Sequence, residues 1–295
     1  LVRVLSQELT TFSWSSLFPI QLRGIRNPFF WIHGQASNGV LHTYLGADQP
    51  VYGMSHQCAD GKPASYKTVE AIAAHYLDEI RTVRPHGPYL LGGYCFGGIV
   101  AFEMAQQLLK QNDTTSLLVL LDPPALNNCT TGSANSRSVG IWAREALNRQ
   151  LKAIRARGAV TDKARGVIKQ FAGSIKKQAV RVGGKLIIKF SLMFGYLIPL
   201  TLRGPYILEV YDRALAQYFP KAYPGRVVVL KAADDHRDVQ HWKELVPNAL
   251  DLHIVPGNHD DVLKNPYVMS WAKKLKIYLD ETSGAVPESD HAHPH

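Results

Sequence analysis

The sequence predicts an α/β fold in which a mostly parallel central sheet is flanked by helices and interrupted by a helical insertion. Three observations carry that expectation. Short, near-continuous apolar runs recur along the chain, amphipathic helical patterns alternate with them, and one long interval, about 126–219, breaks the alternation. Apolar runs without polar alternation suit strands buried on both faces, the normal state of parallel strands. Strands alternating with helices then imply right-handed crossovers in an open sheet.

The runs are Phe29–Ile32, Val51–Met54, Tyr89–Leu91, Leu117–Leu121, Val227–Leu230 and Leu252–Val255. Val69, Ile72, Ala73, Tyr76, Leu77 and Ile80 form one stripe at helical spacing, on a helix that must stop before Pro85. Further helices are expected from about Cys95 to Gln111 and from Pro266 to Leu279. Residues 1–27 lack periodicity and contain Ser-Trp-Ser-Ser and Arg-Asn-Pro, so they are expected to be a linker. The folded domain is then expected over 28–280, with 281–295 a disordered tail. Within the insertion, the apolar stretch from Leu186 to Leu202 carries Lys189, Gly195 and Pro199 and is short for a membrane span. It is expected to be a lid whose apolar side covers the active edge of the sheet.

Composition excludes several classes. With 295 residues, 46% of them apolar and 19% charged, the chain can bury a large core, and disorder is not its main state. Three cysteines, Cys58, Cys95 and Cys129, are too few for a disulfide scaffold, and no CxxC or His/Cys cluster points to a metal. No apolar secretory segment opens the chain, which favours a cytoplasmic location, and the initial Leu suggests a piece of a longer protein. The net charge of +9 is local: residues 136–213 hold 16 Lys and Arg against 4 Asp and Glu, leaving the remainder at net −3. No nucleic-acid-binding motif accompanies that basic segment, so nucleic acid is not an expected partner.

The strongest chemical signal is Gly92-Gly93-Tyr94-Cys95-Phe96-Gly97-Gly98, which follows the run Tyr89–Leu91 and opens the helix beginning Ile99-Val100-Ala101-Phe102. This is the nucleophile-elbow pattern G-x-S-x-G with Cys at the nucleophile position. A sharp strand-to-helix turn needs glycine on either side, where side chains would strike the neighbouring strand and helix. The helix N-terminus also favours thiolate over thiol. Cys95 is therefore the candidate nucleophile, while Cys58 and Cys129 lack any such framing.

A nucleophile needs a base. Of the twelve histidines, His259 follows the last predicted strand in Pro256-Gly257-Asn258-His259-Asp260-Asp261 and is the first choice, with His236 the alternative. His253 lies within a strand, His241 in an earlier loop, and His291, His293 and His295 in the tail. The acid that orients the imidazole is Asp122, at the end of Leu117–Leu121, or Asp234 or Asp235, after Val227–Leu230. Oxyanion donors are expected from the backbone N–H of Phe96 and from a Gly-bearing loop over 33–39, with Gln35 first and Ala36 close behind; His33 is expected to be a loop-packing residue.

These residues resemble the thioesterase domains of non-ribosomal peptide and polyketide synthases. The resemblance covers the chain from Trp14 onward and rests on Trp14-Ser15-Ser16-Leu17-Phe18-Pro19-Ile20-Gln21, His33-Gly34, Pro50-Val51-Tyr52-Gly53 and Gly87-Pro88 through Gly98. Glu103-Met104-Ala105-Gln106, Tyr223-Pro224-Gly225-Arg226-Val227 and Pro256-Gly257-Asn258-His259 complete it. It implies an α/β-hydrolase fold with a helical lid inserted after the strand that bears the acid, and it selects Asp122. Most members carry Ser where this chain has Cys95. It also implies a substrate delivered as a thioester on the phosphopantetheine of a carrier domain, expected upstream in the same polypeptide and joined through residues 1–27, with no cofactor bound by the domain itself. The basic insertion would then face an acidic carrier. Two competing readings are a small-ester hydrolase like the dienelactone hydrolases, which share the Cys elbow, and an inactive acyl-binding module.

Overall fold

The structure, a computed structural model, describes residues 15–126, 183–235 and 239–283. The described chain divides into two units. The larger comprises residues 15–56, 68–126 and the chain from Tyr218 onward, and the smaller comprises Gln57–Lys67 with 183–217.

The larger unit is a seven-stranded sheet. Its strands are β1 (Leu17–Gln21), β2 (Phe29–Ile32), β3 (Val51–Met54), β4 (Tyr89–Tyr94), β5 (Thr115–Leu121), β6 (Val227–Ala232) and β7 (Leu250–Val255), in the order β1-β3-β2-β4-β5-β6-β7. All neighbours are parallel except β1, which runs antiparallel to β3. The six apolar runs all became strands. Burial explains the lack of alternation in β2 and β6, buried at every position, and in β5 over Leu117–Leu121, whereas β7, at the sheet edge, leaves Leu252 and Ile254 exposed.

Strand order dictates which helix covers which face. From β2 the chain moves outward to β3 through α1 (Gln35–Leu45), then reverses across β2 to β4 through α2 (Val69–Arg81), and continues to β5 through α3 (Phe96–Lys110). Right-handed crossovers in opposite directions put their helices on opposite faces. So α1 packs with the last helix, here α6 (Tyr267–Ser283), and α2 packs with α3. The α1/α6 face buries Phe29, Trp31, Val119, Leu121, Val228 and Leu230 against Trp271, Leu275 and Leu279. The reversal makes the gap between β2 and β4 a topological switch point, and ligands of such sheets bind outside the carboxyl ends of the strands at that point.

Helix α3 is the best-buried helix, with Phe96–Gln106 and Leu108 all buried, which explains its apolar character on every side. Its two buried polar groups are satisfied. The Tyr218 hydroxyl donates to Glu103 Oε2 (2.9 Å) and accepts from Gln106 Nε2 (3.1 Å), while Gln107 Nε2 donates to Glu103 Oε1 (3.0 Å). The chain returning toward β6 is thereby tied to the helix that follows the elbow.

Three features differ from expectation. Residues 17–21 are an edge strand and not linker: β1 is only half buried, carries Pro19 and shifts register between Pro19 and Gln21, so its alternation is too weak to read. Residues 35–39 belong to α1 and not to a loop, because Val40, Leu41 and Leu45 bury one side of a helix whose opening turn has poor formers. A short helix, α5 (Gln240–Leu245), follows β6 and buries Trp242 edge-on against Phe102.

The smaller unit holds a helical run over 183–194 and α4 (Leu200–Ala216). Gln57–Lys67 is stitched to α4: Ala64 N–H donates to the Tyr206 hydroxyl (3.0 Å), Arg203 Nη1 to Ala59 O (2.6 Å), and Ile198 N–H to Gly61 O (2.7 Å). Leu186, Phe190, Met193, Phe194, Leu197 and Leu200 are exposed in it. Among the described residues no helix is long and apolar enough to cross a membrane. Residues 127–182, which hold most of the basic charge of the insertion, lie outside the described residues, as do 1–14 and 284–295.

The turn at the end of β4 is the tightest place in the sheet. A Cβ on Gly93 would sit 2.2 Å from Gly97 O, and one on Gly97 would sit 2.4 Å from Ile32 O; both obstacles are backbone and cannot swing away. Gly93→Ala is therefore expected to lower stability in urea unfolding by about 2 kcal/mol or more. An unchanged midpoint would show that the turn is looser than described.

Candidate active site

Between β4 and α3 a single residue, Cys95, makes the turn. It has φ 53° and ψ −123°, a conformation side chains rarely adopt, and it is the N-cap of α3. Two backbone hydrogen bonds hold it there, Cys95 N–H to Leu121 O and Gly98 N–H to Cys95 O, each 2.9 Å. Cys95 is partly exposed, whereas Cys58 is buried in the smaller unit and burial pushes its thiol up. Cys129 lies outside the described residues.

Leu121, which receives the Cys95 N–H, is followed by Asp122, also at positive φ (45°). Asp122 is fully buried, and its N–H and both carboxylate oxygens are bonded. Its N–H donates to Leu230 O (2.7 Å), while Oδ1 accepts from Ala232 N–H (3.0 Å) and from Lys231 Nζ (3.1 Å). Oδ2 lies 2.5 Å from Nδ1 of His259. The other side of His259 is set by Tyr94, the residue before Cys95. The Tyr94 ring stacks on the imidazole at 4.9 Å and its hydroxyl donates to His259 O (2.6 Å). Elements distant in sequence thus converge at the carboxyl ends of β4, β5 and β7, beside the switch point.

The predicted residues sort clearly. Asp122, not Asp234 or Asp235, bonds the imidazole. Asp234 is exposed, and Asp235 faces Lys231 Nζ at 3.2 Å. His253 meets the Tyr278 hydroxyl (2.6 Å), His241 lies on α5 beside Trp242, and His236 lies outside the described residues. Phe96 is the first residue of α3, and Gln35 and Ala36 are the first two of α1, positions whose N–H groups fall outside the intrahelical ladder. The two helix starts are neighbours, because the first turn of α3 touches Ile32 O and the His33 side chain at Gly97.

Asp122, Asp235 and His259 offer ligand atoms within 4.8 Å of one another, the spacing of a cation site. The cation there is Lys231, whose ammonium lies against both carboxylates.

Residues 40–274 match the family model of the thioesterase domain. This chain belongs to the thioesterase-domain family. Over 276 residues it is 26% identical to a dimodular nonribosomal peptide synthase of Bacillus subtilis, an alignment covering 90% of this chain and 11% of that protein. Over 117 residues it is 38% identical to malpinin synthetase of Mortierella alpina, covering 38% of this chain and 2% of the relative. The thioesterase domain thus spans a small part of the length of the curated relatives it matches. Among solved structures, the NocB thioesterase domain from the nocardicin cluster aligns with TM-score 0.59 at 22% identity, covering 90% of this chain and 99% of that one. The surfactin-cyclising thioesterase domain SrfTE aligns with TM-score 0.53 at 14% identity, covering 90% and 96%. At such identities the likeness establishes the fold, an α/β-hydrolase.

Tyr94 and Lys231 are the site residues that sequence reading missed, and Asp235, expected as a possible acid, instead faces Lys231. Lys231 had a signal: a lysine directly after Val227–Leu230, inside a wholly buried strand, with Asp four residues later. Tyr94 is masked by its motif, where the intervening position is unconstrained.

Beneath the elbow of this thioesterase domain lies a buried histidine pair. The rings of His33 and His56 are 4.0 Å apart, and His33 stacks on Phe96 at 6.1 Å. The Tyr76 hydroxyl donates to Ser55 O (2.9 Å), so His33 Nε2–H donates to the Tyr76 oxygen (2.8 Å). Burial, then the charge of His56, holds His33 well below the usual imidazole range, and burial lowers His56 to about 4. Between the ordinary value of 6.5 and about 4 the unfolded chain therefore binds more protons than the folded one. Stability should fall as pH drops through that window, and His56→Gln should flatten the slope. A urea midpoint that is level from pH 7 to 4 would refute the neutral pair.

Proposed function

We propose that this thioesterase domain accepts an acyl, peptidyl or polyketide chain from the phosphopantetheine thioester of a carrier domain onto Cys95, and then releases it. The observation that carries the reading is Cys95 in the strained turn at the α3 N-terminus, flanked by Tyr94, which holds the Asp122-bonded imidazole of His259. The carrier is expected within the same polypeptide, since the relatives are long synthetases and synthases, and the basic insertion suits an acidic carrier surface.

The geometry supports two half-reactions. Cys95 Sγ, its proton passed to His259 Nε2, attacks the thioester carbonyl carbon. Asp122 keeps the Nδ1 proton in place and stabilises the imidazolium. The oxyanion meets backbone N–H groups of Phe96 and of Gln35 or Ala36 at two helix starts. Collapse breaks the bond to the pantetheine sulfur, which leaves with the imidazolium proton. In the second half an O–H or N–H acceptor attacks the Cys95 thioester while neutral His259 takes its proton. The carbon–sulfur bond then breaks and the Cys95 thiolate recovers that proton.

Cysteine in place of serine changes the energetics between the halves. A serine oxoester would lie below the incoming thioester, whereas a Cys95 thioester lies near it in energy and keeps its reactivity for a weak acceptor. The thiol is also the more acidic nucleophile, with a free pKa of about 8.5.

Intact-mass analysis after exposure to an acyl thioester of N-acetylcysteamine should show one acyl adduct, absent in Cys95→Ala. Asp122→Asn should lower turnover by about 10²–10⁴-fold while the domain stays folded. An adduct that persists in Cys95→Ala would refute the covalent assignment.

A further inference from the structure

Lys231 is a buried charge that the catalytic reading leaves unused. It is 4% exposed, near the carboxyl end of β6, and its ammonium bonds Asp122 Oδ1 (3.1 Å) while Oδ2 of the same carboxylate holds His259. Burying an ammonium is costly unless it is paired, and apolar Leu230 and Ala232 flank it on the strand, so packing alone does not call for a lysine there. Its second partner, Asp235 Oδ2, lies 3.2 Å away from the turn after β6.

We propose that Lys231 is a positioning residue that sets the proton affinity of His259 through the shared carboxylate of Asp122, with Asp235 setting how strongly it does so. The argument is electrostatic. A carboxylate that faced only the imidazole would give its whole negative charge to the imidazolium. A cation on its other oxygen withdraws part of that support, and a second carboxylate on the cation returns some of it. Asp235 also lies within 4.8 Å of His259 directly, Tyr94 on β4 stacks on the imidazole and precedes Cys95 at the elbow, and Asp260 and Asp261 follow His259 in the chain, Asp261 being engaged by Lys264 (2.9 Å) and Asn258 (2.7 Å).

This inference rests on the proposed two-step reaction, and that reaction explains why the tuning is useful. Once Cys95 is acylated, no thiolate remains beside His259, and the imidazole must be neutral to accept a proton from the incoming O–H or N–H group. An Asp122 carboxylate reserved for His259 would keep the imidazole protonated to higher pH and suppress release. Lys231 holds the base in its neutral form under those conditions. Serine would gain less, because its hydroxyl needs the strongest base available in the first step, whereas a thiol does not.

The test is the titration of His259 in the whole domain, followed by NMR with labelled histidine, the signal being assigned by its loss in His259→Gln. Lys231→Met should raise the midpoint by about one pH unit, and Asp235→Asn should lower it, by less. Lys231→Arg, which keeps the charge, should stay near the native value. The acidic limb of turnover of the N-acetylcysteamine thioester should move with each midpoint. Opposite shifts for the two charge-removing variants are not what packing damage produces. Should Lys231→Met fail to fold, Lys231→Gln, which removes the charge but keeps a polar side chain beside Asp122, takes its place. Midpoints that coincide with the native one, or that move in the same direction, overturn the proposal. Failure of the covalent reading would be seen separately, as turnover surviving in Cys95→Ala, and would leave the titration result standing.

Discussion

The fully buried carboxylate of Asp122 is the constraint on which the site depends. It sits at positive φ at the end of β5, ties its own N–H to β6 at Leu230, and receives the β6 N–H of Ala232. That leaves one lone-pair region for Lys231 and one for His259. A buried carboxylate bonded to Ala232 N–H, Lys231 and His259 cannot shift without orphaning several of them, and each orphaned polar group costs about 1–3 kcal/mol. Its rigidity is what fixes the imidazole. Tyr94 closes the arrangement from the other side, so the residue next to the elbow and the residue opposite it hold His259 together.

The sheet supplies the reason these groups meet at all. Reversal of strand order between β2 and β4 frees the carboxyl end of β4 from an overlying crossover, and two helix N-termini open beside it. The glycines at 93 and 97 allow β4, α3 and β2 to approach within backbone contact. The site is therefore a consequence of topology first and of side-chain chemistry second. That order is why the sequence could be read so far. A strand, a Gly-x-Cys-x-Gly turn and a helix identify the position of the elbow without any knowledge of the remaining contacts.

Legibility failed where the decisive signal was not local. The buried strands announced themselves because both faces are apolar, but β1 is a half-buried edge with a proline and a register shift, and its pattern is that of a loop. Helix α1 begins with residues that favour turns, and its identity comes from packing on α6. The acid could be narrowed to three aspartates by chain order, but the choice among them depends on which one the last loop reaches, a property of three strands at once. Lys231 shows the same limit more sharply. A lysine at the end of an apolar run is ordinarily the point where a strand emerges into solvent, and here it is where the strand meets the buried carboxylate.

Cysteine at the elbow and a cation behind the acid belong to one argument about which half-reaction is difficult. A serine hydrolase needs its imidazole most in the first step, when a weakly acidic hydroxyl must lose its proton, and an undiluted carboxylate serves that need. A thiol gives up its proton readily, so in the proposed reaction the demand moves to the second step, where water, an alcohol or an amine must be activated against a thioester that has kept its energy. A base whose support is shared with Lys231 is weaker in equilibrium terms but is present in its neutral form over a wider range of pH. The sulfur and the buried ammonium, 136 positions apart in the chain, would then be two halves of one adjustment that moves catalytic effort from capture of the chain to its release.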